Sequence, residues 1–357
     1  ATVLVAAAPC ALVISIPVTY VAAMGRASRD GVLIKGGIYL EELGRLRAIA
    51  LDKTGTLTHG RPELTEIHPL DGRDPDQLLT LAATAERRSE HPIARAIVRA
   101  ADARNLTIGE PDTFHAAVGG GIHARIDGTD LTIASPDYTT SQGHDLNPAV
   151  TDVIEGLESA GNTTVVMADP TGPLAVLAVA DTIRPQAADT IEHLRALGVH
   201  HITMLTGDNP RTARAIATRA GIDHVDASLR PEDKAARIRQ LVDEHHHVAM
   251  VGDGINDAPP LTAASVGIAM GTAGSDIALE TADVALMADD LTRLVTAITI
   301  GRRTRRVVTQ NVALSLIILA ALVPAALLGV IGLTAAVLAH ELSELVVILN
   351  GTRMAKK

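Results

Sequence analysis

The sequence predicts an α/β protein: a domain built on a parallel sheet, split by an inserted α+β domain and joined to three membrane-spanning helices. Three observations carry this reading. Two uncharged stretches, residues 1–24 and 312–339, are each long enough to cross a bilayer, which takes roughly 20 apolar residues. Between them, short apolar runs at 48–51, 201–205, 248–251 and 265–270 alternate with Gly/Asp turns and helical patterns, the signature of a parallel sheet. The first three of these runs each end in an acidic or hydroxyl motif, at the carboxyl end of the strand, where open parallel sheets hold their ligands.

Composition agrees with the plan. Of 357 residues, 47% are apolar and 20% charged, a balance that leans towards partial membrane residence. A formal charge of -10, with three Tyr, one Phe and no Trp, excludes a nucleic-acid-binding protein, which wants a basic surface and rings for base stacking. The single cysteine, Cys10, excludes an intramolecular disulfide and gives no sign of a secreted fold.

Taken in order, the first span covers residues 1–25. It lacks the basic leader and initiator methionine of a signal peptide and carries Pro9, Cys10 and Pro17 inside its apolar run, so it reads as a membrane helix of a chain that starts mid-protein. Basic residues follow it (Arg26, Arg29, Lys35), precede the second span (Arg302, Arg303, Arg305, Arg306) and follow the third (Arg353, Lys356, Lys357). Positive charge marks the cytoplasmic side. Residues from about 26 to 310 are therefore expected in the cytoplasm of a multi-pass cell-membrane protein. The last two spans form a hairpin that turns near Gly329 and Gly332 and returns through His340, Glu341 and Glu344 to Leu349.

Within the cytoplasmic part, residues 26–61 and 179–305 carry the sheet pattern. Residues 62–178 change texture, with a helix bearing Glu86 and His91 near its end, a glycine cluster and alternating segments around 121–133. Residues 306–357 are the hairpin and a short tail.

Chemistry concentrates in a few motifs. Asp52-Lys53-Thr54-Gly55-Thr56 follows the first strand directly, and a carboxylate at a strand end can attack a γ-phosphorus to give an aspartyl phosphate. Thr206-Gly207-Asp208 follows the second strand. Gly252-Asp253-Gly254-Ile255-Asn256-Asp257 follows the third and sets two carboxylates four apart across a glycine turn, hard oxygen donors of the kind Mg²⁺ wants, with Asp253 the expected direct ligand. Lys234 lies in Pro231-Glu232-Asp233-Lys234, and the insertion carries Ser89-Glu90-His91-Pro92, Gly119 and Gly121. Glycines let a nucleotide approach the backbone closely. His245, His246 and His247, at a helix end before a strand, are read as solvated.

These motifs resemble those of the P-type ATPases, and within them the heavy-metal-transporting class, over nearly the whole chain. The resemblance implies a haloacid-dehalogenase-like, Rossmann-like phosphorylation domain with an inserted nucleotide-binding domain, using ATP and Mg²⁺. It implies Asp52 as the phosphoryl acceptor, with Lys53, Thr206, Gly207 and Asp208 on the phosphate side and Lys234 neutralising charge on the aspartate. Asp52, the Thr54 carbonyl and Asp253 would hold Mg²⁺, supported by Asn256 and Asp257. Glu86, Glu90, His91, Gly119 and Gly121 would form the adenine pocket, where Ala134-Ser135 replaces the family's Gly-Asn pair. Asp181-Thr182-Ile183-Arg184-Pro185 matches the segment re-entering the phosphorylation domain, a hinge rather than an active-site element. The family's Thr-Gly-Glu actuator domain and earlier membrane helices are expected to precede Ala1 in the full protein.

Pro9-Cys10 and His340-Glu341 are polar groups that membrane burial makes costly, which marks Cys10, His340 and Glu341 as the transport site. The pattern resembles the cobalt-type group, with Ala8 in place of its serine and Leu342-Ser343-Glu344 in place of its Gly-x-Thr. One thiolate, an imidazole and carboxylates suit divalent Zn²⁺, Co²⁺, Ni²⁺ or Cd²⁺ better than Cu⁺. The rivals are a membrane-tethered phosphatase, which would carry an acid where Thr54 stands, a subunit with a dead catalytic site, and a pump for another cargo.

Overall fold

Apolar runs of the sequence form strands whose residues are buried along their length, as parallel strands covered by helices must be. The computed structural model describes residues 7, 10–70, 72–117, 120–253, 257–271 and 280–356. They fall into two units, one of Ala1–Asp52, Gln186–Ile202 and Pro231–Lys357, the other of Lys53–Pro185 and Thr203–Arg230.

In the first unit, five strands lie side by side in the order Val32–Ile34, Val284–Met287, Val266–Gly271, Val248–Gly252 and Ala48–Asp52. Only the edge strand Val32–Ile34 runs antiparallel. Leu51 pairs with Val251, so Asp52 and Gly252 come next at two adjacent strand ends.

The helix Arg293–Leu327 runs 35 residues without a break at 305, carrying the chain out of this unit's soluble part. It crosses the helix Gly37–Arg45 at a pair of glycines: a Cβ on Gly301 would lie 2.8 Å from the Gly44 nitrogen, and one on Gly44 would lie 2.7 Å from the Gly301 carbonyl oxygen. The chain turns at Gly329, whose φ of 72° is left-handed, and returns as the helix Leu333–Thr352. Buried Asn311 donates to the Val347 carbonyl at 3.1 Å and accepts from Asn350 at 2.8 Å, tying the two helices together.

Among the described residues, Arg293–Leu327 and Leu333–Ala355 are long and apolar enough to cross a membrane. Their apolar windows are only 11% and 22% buried, unlike the core helix of a soluble protein. Where the first span is expected, residues 10–29 form the helix Cys10–Arg29, which packs along both; residues 1–6, 8 and 9, and with them Pro9, lie outside the described residues. Where it meets the last helix, a Cβ on Gly351 would stand 2.6 Å from the Thr19 hydroxyl, the close approach that small residues permit between membrane helices.

The second unit holds a six-stranded antiparallel sheet in the order Glu63–Pro69, Gly172–Ala180, Thr163–Asp169, Thr129–Ala134, Gly121–Ile126 and Thr113–Ala117. The helices Pro75–Glu86 and Pro92–Ala103 cover it through Leu78, Leu79, Ile97, Ile122 and Leu177, while Val150 and Ile154 pack on Val166 and Val176. The sequence reading ran one helix through Glu86 to His91. The structure ends it at Glu86 and starts another at Pro92, because the residue before a proline is pushed out of helical geometry; His91 has ψ 140° and caps the new helix by accepting from the Ile93 N–H at 3.3 Å. The strand His201–Leu205 forms as expected, and from Thr203 it pairs in parallel with His224–Asp226.

After Asp52 the chain coils through Lys53–Leu57, with Gly55 at φ 74° where a side chain would be strained. This loop is held from the segment read as a hinge. The Arg184 guanidinium, 2% exposed, donates to the carbonyls of Thr56 at 2.8 Å and Gly55 at 3.1 Å. Asp181 accepts from the Thr58 hydroxyl at 2.5 Å and from the Gly60 and Arg61 amides. Truncating Arg184 to Ala strands two carbonyls and should cost about 3 kcal/mol in thermal or denaturant unfolding, with Arg184→Lys recovering only part because it lacks the planar fork. A loss below about 0.5 kcal/mol for Arg184→Ala would refute this role.

Candidate active site

In the first unit the end of the strand Ala48–Asp52 and Asp257 bring acidic groups around one cation. Lys234, in the first turn of the helix Pro231–His245, sits with its Nζ 2.5 Å from Asp52 Oδ1 and 3.0 Å from Asp257 Oδ1. Asp52 and Asp257 are 4% and 1% exposed. Gly252 is required by the approach of Asp257: a Cβ there would meet the Asp257 carboxylate at 2.6 Å.

Burial and then the Asp257 charge push Asp52 up to about 7, with Asp253 adding to the rise and Lys234 opposing it. Burial likewise raises Asp257, against the pull of Lys234. Burial would lower Lys234, but the charges of Asp52 and Asp257 outweigh it and its pKa is raised. Two buried carboxylates thus face one ammonium, with the Asp253 charge acting on both, an excess of negative charge that hard divalent cations offset. Among the described residues no three His, Cys, Asp or Glu side chains are grouped so that they could hold a metal ion by themselves. An open carboxylate set suits Mg²⁺, which is held by one or two carboxylates, phosphate oxygens and water. Asn256 lies outside the described residues.

In the second unit Lys53 pairs with Asp208, Nζ to Oδ2 at 2.5 Å. The Thr206 hydroxyl donates to that same carboxylate at 3.1 Å and accepts from the Asp208 N–H at 3.1 Å, closing a tight turn after the strand. Gly207 leaves the Leu229 carbonyl 3.3 Å from where a Cβ would be.

The same unit contains a cavity of about 340 Å³ lined by Glu86, Ser89, His91, Gly121, Ala134 and Ser135 among others. Glu86 is pushed up to about 7 by burial against a hydrogen bond from Ser89, and its Oε2 is buried without a partner. Burial lowers His91, which favours the neutral ring. Gly121 has φ 154°, and a Cβ on it would lie 2.3 Å from the Ile133 carbonyl oxygen. Glu90 is exposed and outside this lining; Gly119 lies outside the described residues. Ser135, in place of the family asparagine, caps the helix Pro136–Ser141 by accepting from the Tyr138 N–H at 3.3 Å. A second cleft of about 1070 Å³ runs from His91 and Ser135 to Gly207 and Asp208, so the smaller cavity and the turn after the strand His201–Leu205 share one trough.

In the membrane region His340 is 8% exposed, with Nε2 3.2 Å from Glu344 Oε1, but the contact lacks hydrogen-bond geometry and leaves that nitrogen unsatisfied. Glu341 is exposed. The partner is Glu344 because residues four apart share a helix face and adjacent ones do not. Cys10 opens the helix Cys10–Arg29, and its side chain lies outside the described residues. Sequence reasoning missed the anchoring of the Asp52 loop by Arg184; the available signal was a basic residue within Asp181-Thr182-Ile183-Arg184-Pro185, weak when read alone.

Residues 46–265 match the haloacid dehalogenase-like hydrolase family. The chain is 42% identical over 362 residues to a probable cadmium-transporting ATPase of Alkalihalophilus pseudofirmus, covering 99% of this chain and 50% of that protein. It is 44% identical over 356 residues to a zinc/cadmium/lead-transporting P-type ATPase of Escherichia coli, covering 100% of this chain and 47% of that one. A solved zinc-transporting PIB-type ATPase in its E2·Pi state superposes with a TM-score of 0.75 at 44% identity, over 98% of this chain and 56% of that structure. The chain spans about half the length of the curated relatives it matches. A split sheet with Asp52 at a strand end, and these likenesses along its full extent, establish that the chain belongs to the haloacid dehalogenase-like hydrolases and is a counterpart of one half of the heavy-metal P-type ATPases.

Proposed function

We propose that this chain is the catalytic and membrane half of an ATP-driven exporter of a divalent transition-metal ion that works through an aspartyl phosphate on Asp52. The observation that carries the reading is the buried Asp52 carboxylate held by the Lys234 ammonium at a strand end. ATP occupies the trough of the second unit, its base near Glu86, His91 and Gly121 and its phosphates toward Gly207 and Asp208. The orphaned Glu86 Oε2 is a ready acceptor for an adenine amino group. An Asp52 oxygen then bonds to the γ-phosphorus as the bond to the β-phosphate oxygen breaks and ADP leaves.

Lys234 offsets the negative charge that gathers on Asp52, and Thr206 hydrogen-bonds the transferring group. Asp52, Asp253 and the Thr54 carbonyl, with Asp257 and Asn256 in support, would hold Mg²⁺, which would supply the charge neutralisation that Lys234 alone does not. Export across the cell membrane, the dephosphorylating actuator domain and the earlier helices are assigned on this reading to the full-length protein. Cys10, His340 and Glu341 are the proposed donors to the transported ion, with Glu344 standing 3.2 Å from the His340 ring as a further carboxylate. Relatives named for cadmium and for zinc, cadmium and lead support a divalent cargo.

Three measurements check this. Metal-stimulated phosphorylation of the full-length protein from labelled ATP should vanish in Asp52→Asn; label retained there would overturn the acceptor assignment, and no stimulation by any divalent transition metal would overturn the cargo. Cys10→Ala and His340→Ala should abolish the stimulation while ATP binding persists, so unchanged transport in both removes them from the site. For Glu86 the sign follows from its raised pKa. The folded protein keeps its proton longer than the unfolded chain, so the stability of this region falls as pH rises from the usual carboxylate range to about 7. Local opening of the helix Pro75–Glu86, read by hydrogen exchange, should become easier by up to about 3 kcal/mol over that window. Glu86→Gln should flatten the dependence, and an unchanged slope would contradict the assignment.

A further inference from the structure

A cavity of about 940 Å³ in the first unit lies at the foot of the helix Arg293–Leu327, away from the groups assigned above. Five arginines line it, Arg45, Arg47, Arg302, Arg305 and Arg306, and no carboxylate does so among the described residues. His201 and His245 stand behind them, ring centroids 4.5 Å apart, with His200 beside. Arg45 pairs with Glu41 on its own helix, and Arg302 donates to the Leu46 carbonyl at 3.3 Å. Arg305 and Arg306 are exposed, with no acidic side chain within ion-pair distance among the described residues.

The position of the cavity narrows what could fill it. Residues 302, 306, 309, 313 and 316 follow one another at three- and four-residue spacing and so share one helix face. That face begins with cavity-lining arginines, passes Thr309 and enters the uncharged stretch 312–339, where Leu316 and Ile317 are 53% and 66% exposed. Cationic forks that match phosphate oxygens in pairs are thus followed, about 10–15 Å along the axis, by bare apolar surface. We propose that the cavity binds the phosphate-bearing headgroup of an anionic phospholipid whose acyl chains lie along this helix. The shared chemistry is a phosphate ester, and the apolar continuation selects the lipid over a soluble anion. The inference rests on reading Arg293–Leu327 as a membrane span and is independent of the phosphorylation chemistry.

The full-length protein is reconstituted into nanodiscs of phosphatidylcholine with and without phosphatidylglycerol, and retained lipid is read by native mass spectrometry. Incorporation, measured first, tests the membrane span by itself. Phosphatidylglycerol should be retained in preference to phosphatidylcholine. Arg305→Gln and Arg306→Gln, each exposed and without a structural partner, should each weaken that retention roughly fivefold. Arg303→Gln, a neighbouring charge outside the cavity, should change it less than about twofold. Unchanged retention in the first two variants overturns the proposal, and so does an equal loss in all three, which would mean a diffuse basic surface. Inorganic phosphate displacing the lipid at comparable concentration assigns the cavity to a soluble anion and overturns the lipid source.

Discussion

The bridge from Lys234 to Asp52 and Asp257 is the constraint around which the catalytic end of the sheet is arranged. Two carboxylates this close and this buried repel each other, and at an effective dielectric of 20 two unit charges 4 Å apart interact by about 4 kcal/mol. One ammonium between them lowers that cost, but burial first and the Asp257 charge second outweigh it, so Asp52 rises to about 7 despite its ion pair. The register Leu51 to Val251, the glycine at 252 and the first turn of the helix Pro231–His245 each serve this meeting. The residual charge leaves the cluster able to answer to a divalent cation or a bound phosphoryl group, since either alters the balance that holds the side chains.

Such a change has a stiff route toward the membrane within the same unit. The helix Arg293–Leu327 is anchored at Gly301 by backbone contact with Gly44 and, ten residues or about 15 Å further on, at buried Asn311 by its bonds to the next helix. Between those points nothing breaks the ladder of helical hydrogen bonds. Backbone contacts without intervening side chains leave little room for sliding, so displacement of the helix Gly37–Arg45 is passed on as movement of the span rather than absorbed.

How far the sequence disclosed this depended on whether the cause was local. The strands at 48–51, 201–205 and 248–251 were legible because buried parallel strands need continuous apolar runs, and their ends were legible because charge stops there. The break between Glu86 and His91 was available in Pro92, whose effect on the preceding residue is local. Arg184 was not legible: it acts on carbonyls 128 and 129 positions away, a long-range contact that no periodicity encodes. The basic residues 302–306 read only as a topology signal, because their convergence with Arg45 and Arg47 depends on the glycine crossing of two helices distant in sequence. The contact of His340 with Glu344 could have been taken from helical spacing alone.

That contact bears on the proposed cargo. A buried imidazole nitrogen without a hydrogen bond costs roughly 1–3 kcal/mol, and in a membrane helix no water is at hand to satisfy it. His340 nonetheless stands unsatisfied, with the Glu344 carboxylate 3.2 Å away on the same face. A cation shared between imidazole nitrogen and carboxylate oxygen relieves both groups at once, and a nitrogen–oxygen pair prefers divalent borderline metals to Cu⁺. The arrangement is costly when empty, which fits the proposed role of a donor that is bound for part of a cycle and free for the rest.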